Sequence, residues 1–160
     1  MDIKDILFQA IQHAAEGVVV TKSGLDEPTE PEIIFVNDAM SRLTGYTREE
    51  LIGKTPRVLQ GDNTDHAERT EMKNRLKAGA SVTSVIENYR KDGSTYWVQL
   101  SIYPAKDDDG NLVGWIAIQR DVSREKELEA ALDAQYLMSQ TIHDQVTKLE
   151  TKLRDVAQPD

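Results

Sequence analysis

The sequence predicts an α+β domain: a five-stranded antiparallel sheet with a helical insert, an N-terminal helix and one long C-terminal helix. Three observations carry this. Two short apolar runs come before a stretch of helical pieces. Three longer runs of alternating character, separated by turn residues, come after it. A strict alternation of four- and three-residue apolar steps then continues almost to the C-terminus.

Taken in order, Ile3, Ile6, Leu7, Ala10, Ile11 and Ala14 share one helical face and predict a helix that Gly17 stops. Residues 18–21 read as a short buried strand. Residues 22–31 hold Gly24, Pro28 and Pro31 among charges and read as a loop, and residues 33–36 form the second strand. In the insert, Thr47 and Glu50 have capping-box spacing, Leu51 and Ile52 follow, and Gly53 stands where a helix C-cap belongs. Thr64 or Asp65 caps a longer helix that carries Met72 and Leu76 and ends at Gly79. Strands 81–90 and 95–103 meet at Lys91-Asp92-Gly93-Ser94, whose Asp-Gly pair suits a hairpin turn. A second turn at 107–111 leads to strand 112–120. Residues 123–156 form one helix with a seam of Leu128, Leu132, Gln135, Ser139, Ile142, Val146, Leu149, Leu153 and Val156. That spacing predicts a coiled coil with two polar layers, Gln135 and Ser139. The domain limits are thus 1–16 for the N-terminal cap helix, 17–122 for the globular domain and 123–160 for the C-terminal helix.

Composition narrows the chemistry. With 28 acidic against 19 basic residues the formal net charge is −9, which repels phosphate backbones and argues against a nucleic-acid partner. Cysteine is absent, so disulfides, thiolate nucleophiles and cysteine zinc sites are excluded, and the three His are scattered. No apolar run is long enough to span a membrane and no signal peptide is apparent, so the expected location is cytoplasmic. There is no phosphate-binding loop, no Gly-rich dinucleotide turn and no nucleophile with a nearby base, so no enzymatic activity is expected. His143 beside Asp144 on the long helix is a candidate phosphoacceptor, but a surface histidine flanking the seam explains it more simply.

Strand alternation sorts the sheet into two faces. One carries Ser84, Ile86 and Asn88, then Val98, Leu100 and Ile102, then Trp115, Ala117 and Gln119. Buried amides at Asn88 and Gln119 need partners, since an unpaired one costs about 1–3 kcal/mol. A planar heterocycle with a polar edge would supply them, and so would loop backbone or water. The other face carries Val85, Tyr89, Trp97, Tyr103, Leu112, Ile116 and Ile118 and is also apolar. A sheet apolar on both sides is covered on both, one side by the insert and the other by the N-terminal helix or a second subunit.

The string Gly53-Lys54-Thr55-Pro56-Arg57-Val58-Leu59-Gln60-Gly61, with Asn63-Thr64-Asp65 behind it, resembles the light-oxygen-voltage branch of the PAS family. So do Asn37-Asp38-Ala39, Leu43-Thr44-Gly45-Tyr46, Asn88-Tyr89-Arg90-Lys91-Asp92-Gly93, Tyr96-Trp97 and Ile118-Gln119-Arg120-Asp121-Val122-Ser123. The resemblance implies a PAS fold and a flavin mononucleotide (FMN) site. The cysteine that forms a light-driven adduct in that branch falls at Pro56. Arg57 matches an arginine that pairs with the flavin phosphate, Gln60 a glutamine beside the ring, Asn88 a ring-edge asparagine and Gln119 the glutamine that senses the ring. The pattern departs at Thr55, at Val98 in place of the second ring-edge asparagine, and at Lys73 in place of a second phosphate arginine, for which Arg69 is a substitute one turn earlier.

Two readings follow. In one, the chain is a cysteine-less flavin photoreceptor or redox sensor, with Trp97, Tyr89, Tyr96 or Trp115 as electron sources, that relays a flavin state change through Gln119. In the other, it is a PAS dimerisation module for a downstream effector domain, with no ligand or an unidentified one. Both predict a homodimer through the C-terminal helix.

Overall fold

The computed structural model describes residues 2–25 and 31–157. The chain divides into two compact units, Met1–Ser123 and Arg124–Asp160. The loop expected at residues 22–31 is described only at its two ends; residues 26–30, like 158–160, lie outside the described residues.

In the first unit the order is α1 (Ile3–Gln12), β1 (Gly17–Lys22), β2 (Ile33–Val36), α2 (Asp38–Thr44), α3 (Arg48–Leu51), a 3-10 turn (Pro56–Leu59), α4 (His66–Lys77), β3 (Val82–Tyr89), β4 (Thr95–Lys106) and β5 (Leu112–Asp121). The five strands form one antiparallel sheet in the order β2-β1-β5-β4-β3. This is the five-stranded antiparallel sheet with a helical insert that the sequence predicts. The first and last strands of the domain lie side by side in the middle, so the chain ends of the domain meet at one sheet position. The second unit continues α5 (Ser123–Ala157), a single helix that buries none of its residues.

Local chemistry accounts for most boundaries. Thr47 and Glu50 form the expected capping box at α3. Asp65, and not Thr64, caps α4, its side chain accepting from the Glu68 amide. Thr64 is buried and turned to β3, donating to the Glu87 carbonyl at 2.7 Å. Gly93 takes φ +85° in the Asp-Gly hairpin turn. β4 runs past Tyr103 through Pro104, which lies beyond the last β3 pair (Val82 with Ile102), where β4 is an edge and proline is tolerated.

Gly17 does not stop α1. The helix ends at Gln12 with His13 as its cap, and Gly17 opens β1 opposite Gln119. A Cβ at Gly17 would run into the Met40 thioether, so any larger residue here requires the Met40 side chain to shift.

The insert covers the inner face of the sheet. Met72 and Leu76 of α4 pack with Ile86, Tyr96, Val98, Leu100 and Trp115, while Met40, Leu51 and Leu59 pack with Val19, Ile33 and Val36. On the outer face α1 meets the sheet at the β2 edge, where the Phe8 and Phe35 rings meet edge-on with centroids 5.8 Å apart. Val85, Trp97, Tyr103 and Ile116 remain between 36% and 43% exposed, so α1 does not provide the expected cover for that part of the sheet. Tyr89 leaves the exposed set: it is half-buried, and its hydroxyl accepts from the Asn63 amide at 3.0 Å.

Candidate functional site

A cavity of about 90 Å3 lies between the inner sheet face and the insert. Strand alternation supplies one wall, with Val19 and Thr21 from β1, Ile86 and Asn88 from β3, Leu100 and Ile102 from β4, and Trp115, Ala117 and Gln119 from β5. Pro56, Leu59 and Gln60 around the 3-10 turn and Leu76 of α4 close the other side. Among the described residues of this lining, the surfaces are almost all apolar. The exceptions that matter are three amides.

Gln60 Oε1, Asn88 Oδ1 and Gln119 Oε1 are all buried without a hydrogen-bond partner within the protein. Each orphaned acceptor costs about 1–3 kcal/mol when it is shut away from water. Three of them around one apolar cavity constitute a set of positions that a ligand edge with donors would satisfy. This is the composition of a small-molecule site, apolar walls with a few placed polar groups. The cavity is smaller than the roughly 300–1,000 Å3 of drug-sized sites, so a tricyclic ring enters only if lining side chains swing outward.

The three amides are held from different directions. Gln60 follows the 3-10 turn, and its loop is pinned by the Thr64 hydroxyl, which accepts from the Gly61 amide at 3.1 Å and donates to β3. Asn88 sits near the end of β3 opposite Tyr96 of β4. Gln119 sits on β5 between Leu100 of β4 and Gly17 of β1. Two residues further on, the strand ends in a bolted junction. Asp121 accepts from the Ser123 amide at 2.9 Å, and Ser123 Oγ accepts from the Trp97 amide at 2.9 Å. The Val122 amide donates to the Trp97 carbonyl at 2.8 Å, and Arg90 pairs with Asp121 at 3.1 Å.

Of the other sequence candidates, Val98 is fully buried opposite Ile86 in the core and does not line the cavity. Thr55 heads the 3-10 turn without a side-chain cap bond, next to the cavity residue Pro56. Arg57 lies on the 3-10 turn and is exposed; Arg69 and Lys73 lie one turn apart on α4 and are half-buried. None of these three cations lines the cavity. Among the candidate aromatics, Trp115 lines it, with its indole N–H donating to the Ser23 carbonyl at 3.3 Å. Trp97 is on the outer face, and Tyr89 is at the rim against the Gly61 loop.

Two groups carry more than their sequence positions announce. Tyr96, noted in the sequence only as an aromatic, buries a hydroxyl without a partner beside Asn88. Burial pushes this phenol up to about 12, against the opposing pull of the Asn88 amide and the Arg90 guanidinium. Asn37, which caps α2, also bonds β1, the last turn of α1 and the segment after it. No cluster of three or more His, Asp or Glu side chains that could hold a metal occurs among the described residues, nor does any helix long and apolar enough to cross a membrane.

A family model described as PAS domain matches residues 16–124. A blue-light photoreceptor of Listeria innocua serovar 6a is 33% identical over 129 residues, which is 81% of this chain and 49% of that protein. A blue-light-activated histidine kinase of Brucella anthropi is 42% identical over 98 residues, 61% of this chain and 20% of the kinase. Among solved structures, one described as "Flavin Analogue Sheds Light on Light-Oxygen-Voltage Domain Mechanism" superposes with a TM-score of 0.67 at 34% identity, covering 82% of this chain and 94% of that one. Another, "Structure of an RNA-binding Light-Oxygen-Voltage Receptor", gives 0.75 at 28% identity, covering 88% and 39%. The chain spans about half the length of the Listeria photoreceptor and a fifth of the kinase.

Proposed function

The chain belongs to the PAS domain family, and from that premise we propose that it is a non-enzymatic, cytoplasmic sensory module of the light-oxygen-voltage type. It takes FMN without a cysteine and passes the flavin's state to a homodimeric C-terminal helix that serves a downstream effector. The observation that supports this best is the convergence of three orphaned amide oxygens on one apolar cavity, at Gln60, Asn88 and Gln119. A flavin supplies blue-light absorption and redox chemistry when bound. The chain's residues would hold it: Gln60 and Asn88 at the polar edge, Gln119 at the ring, and Arg57 with Arg69 or Lys73 toward the phosphate. Thr55 and Val98 supply none of the ring-edge bonds that asparagines would make there. With no thiol anywhere in the chain, no thioether adduct can form.

Titration of the purified protein with FMN should give saturable fluorescence quenching and a structured blue absorption band. The two missing ring-edge bonds, at about 0.5–1.5 kcal/mol each, weaken binding roughly tenfold to a hundredfold without abolishing it. No saturation up to hundreds of micromolar would sink the flavin reading and leave a PAS dimerisation module, to which the small cavity and the apolar Val98 would then belong.

Gln119 would act as the relay. Its side chain faces the cavity, its backbone lies two residues from Asp121, and Asp121 caps the start of α5. Gln119→Leu keeps the volume and removes the amide. Flavin should stay bound with its affinity changed by less than about tenfold, while the light-dependent change in helical or hydrodynamic signal disappears. A variant that still switches as wild type does would exclude Gln119 as the relay.

A further inference from the structure

Between Gln60 and Thr64 the chain crosses from the 3-10 turn toward α4, and this short strap carries the Gln60 side chain of the cavity wall. Gly61, Asp62 and Asn63 are exposed, and among the described residues no main-chain hydrogen bond joins the strap to the sheet. The Gln60 amide bonds back to the Arg57 carbonyl at 2.9 Å, and the Thr64 amide to the Gly61 carbonyl at 3.0 Å. Side chains make the attachment to β3, the edge strand on this side of the sheet. The buried Thr64 hydroxyl donates to the Glu87 carbonyl and accepts from the Gly61 amide. The Tyr89 hydroxyl accepts from the Asn63 amide at 3.0 Å. The Tyr89 ring lies directly on the Gly61 main chain, where an added Cβ would run into three of its carbons. A ring system wider than the cavity of about 90 Å3 needs a wall that yields. The sheet wall is fixed by ladder bonds, and α4 by Met72 and Leu76 in the core. The strap has neither support.

We infer that Tyr89 is a positioning residue that clasps this strap, and that the strap opens as one unit to form the entrance of the cavity. When closed, it holds Gln60 against the cavity. The clasp is made by the protein alone, so it closes the empty and the loaded cavity alike. Its loss therefore speeds entry and exit together and leaves affinity almost unchanged. Opening is local: it breaks the contacts of residues 60–64 with β3 and leaves the sheet and its core intact. None of this requires that the ligand be a flavin.

The chain has no cysteine, so a single introduced thiol reports access to the cavity without any ligand. Ala117→Cys places one on the sheet wall of the cavity, and Val98→Cys places one in the core away from it. Labelling by a small uncharged methanethiosulfonate is followed with and without Tyr89→Phe, which removes the hydroxyl and keeps the ring. The Ala117→Cys thiol should react about two- to tenfold faster in Tyr89→Phe, the factor that follows from one lost hydrogen bond. The Val98→Cys thiol should react at an unchanged rate. Equal acceleration of both thiols would mean general loosening and would overturn the inference. So would no acceleration at Ala117→Cys, which would move the entrance to the end where Leu25, Leu76 and Trp115 line both the cavity and a groove beside it. Gly61→Ala is the second variant. It keeps the hydroxyl, its backbone is not left-handed, and by pushing the ring off the strap it should speed Ala117→Cys labelling in the same way. Amide exchange tests whether the strap moves as a unit. In Tyr89→Phe the Gln60, Gly61 and Thr64 amides, which do not bond Tyr89, should quicken together with Asn63. Acceleration at Asn63 alone would overturn the single-unit opening. With FMN, association and dissociation should both rise by a similar factor, and Kd should change by less than about threefold. A change in dissociation alone would place Tyr89 on the bound ligand and not at an entrance. If FMN does not bind, the flavin reading fails, and the thiol and amide measurements still decide this one.

Discussion

Replacing Asn37 with alanine is expected to lower the stability of the domain by about 2–4 kcal/mol, and the melting temperature by about 8–16 °C. Asn37 is 1% exposed and uses both ends of its side chain twice. Oδ1 accepts from the Val18 amide at 2.9 Å and from the Met40 amide at 3.2 Å. Nδ2 donates to the Ile11 and Glu16 carbonyls, each at 2.9 Å. Alanine leaves the Met40 amide and the Ile11 carbonyl with their bonds to the Asn37 carbonyl and the Ala14 amide. It takes the side-chain partner from the Val18 amide and the Glu16 carbonyl, and removes the side-chain N-cap of α2. Such a loss is larger than that of a surface cap, because water cannot easily take the place of the amide.

Asn37→Asp separates the two halves of this role. A carboxylate still accepts from Val18 and Met40, so α2 keeps its cap. It cannot donate, and it faces the Ile11 and Glu16 carbonyls as one acceptor against two. The tether of α1 is therefore lost in both variants, while α2 frays only in alanine. Amide exchange should quicken across residues 3–12 in both and across residues 38–44 in alanine alone. A fall in melting temperature under about 2 °C, or unaltered exchange at α1, would show that these four bonds carry little. Val18 neighbours Gly17, the register partner of Gln119, so the tether also joins the N-terminal helix to the strand beside the proposed relay.

Residues 3–12 illustrate what a sequence does and does not disclose. The helical spacing of Ile3, Ile6, Leu7 and Ile11 is local, and so is the helix. Its end is not marked by the residue that looks like a stop. The chain leaves helical geometry at His13, and Gly17 instead sits where Met40 approaches closely from a helix more than twenty residues on. The inner sheet face was legible because period-two alternation forces Ile86 and Asn88, Leu100 and Ile102, and Trp115, Ala117 and Gln119 onto one side. The cavity's other wall was legible only through the resemblance, which pointed to Gln60. Alternation says nothing of what the 3-10 turn presents. The bonds made by Asn37 and the partnerless state of Tyr96 were not legible at all. Both depend on atoms brought together by tertiary structure, with sequence separations up to 26 for Asn37. The outer face was correctly read as apolar; that α1 leaves Val85, Trp97, Tyr103 and Ile116 uncovered was not legible, since alternation cannot say where α1 docks.

The largest expected effect on assembly comes from the middle of α5. On the seam, Leu128, Leu132, Ile142, Val146, Leu149, Leu153 and Val156 are between 46% and 81% exposed, and no residue of this helix is buried. A two-stranded coiled coil is the arrangement that would cover such a seam, and parallel packing would let two sensors act on two outputs together. Gln135 and Ser139 interrupt it, and beside them Tyr136, Leu137 and Met138 are 65–67% exposed. The apolar surface of the middle turn is thus offset from the seam that both ends follow. A second register, through Leu128, Ala131, Gln135, Met138 and Ile142, also has the required spacing and would draw Met138 inward in place of Ser139. Two registers close in energy are what a switch requires, because a small bias from the sensor then moves the balance. Gln135→Leu with Ser139→Leu removes that balance. Gln135→Leu favours both registers, but Ser139→Leu favours only the one that continues Leu132 and Val146. Four added leucines in a dimer, at about 1 kcal/mol or more each, should tighten it by two to three orders of magnitude or more. Sedimentation across a concentration series would read this directly, and any light-dependent change in hydrodynamic radius should be blunted in the same variant. Truncation before Glu125 should act in the opposite sense and leave only weak association. Wild-type chains that sediment as monomers at tens of micromolar would defeat the coiled coil. A double variant that tightens the dimer yet switches as freely as wild type would keep the coiled coil and remove the two-register switch.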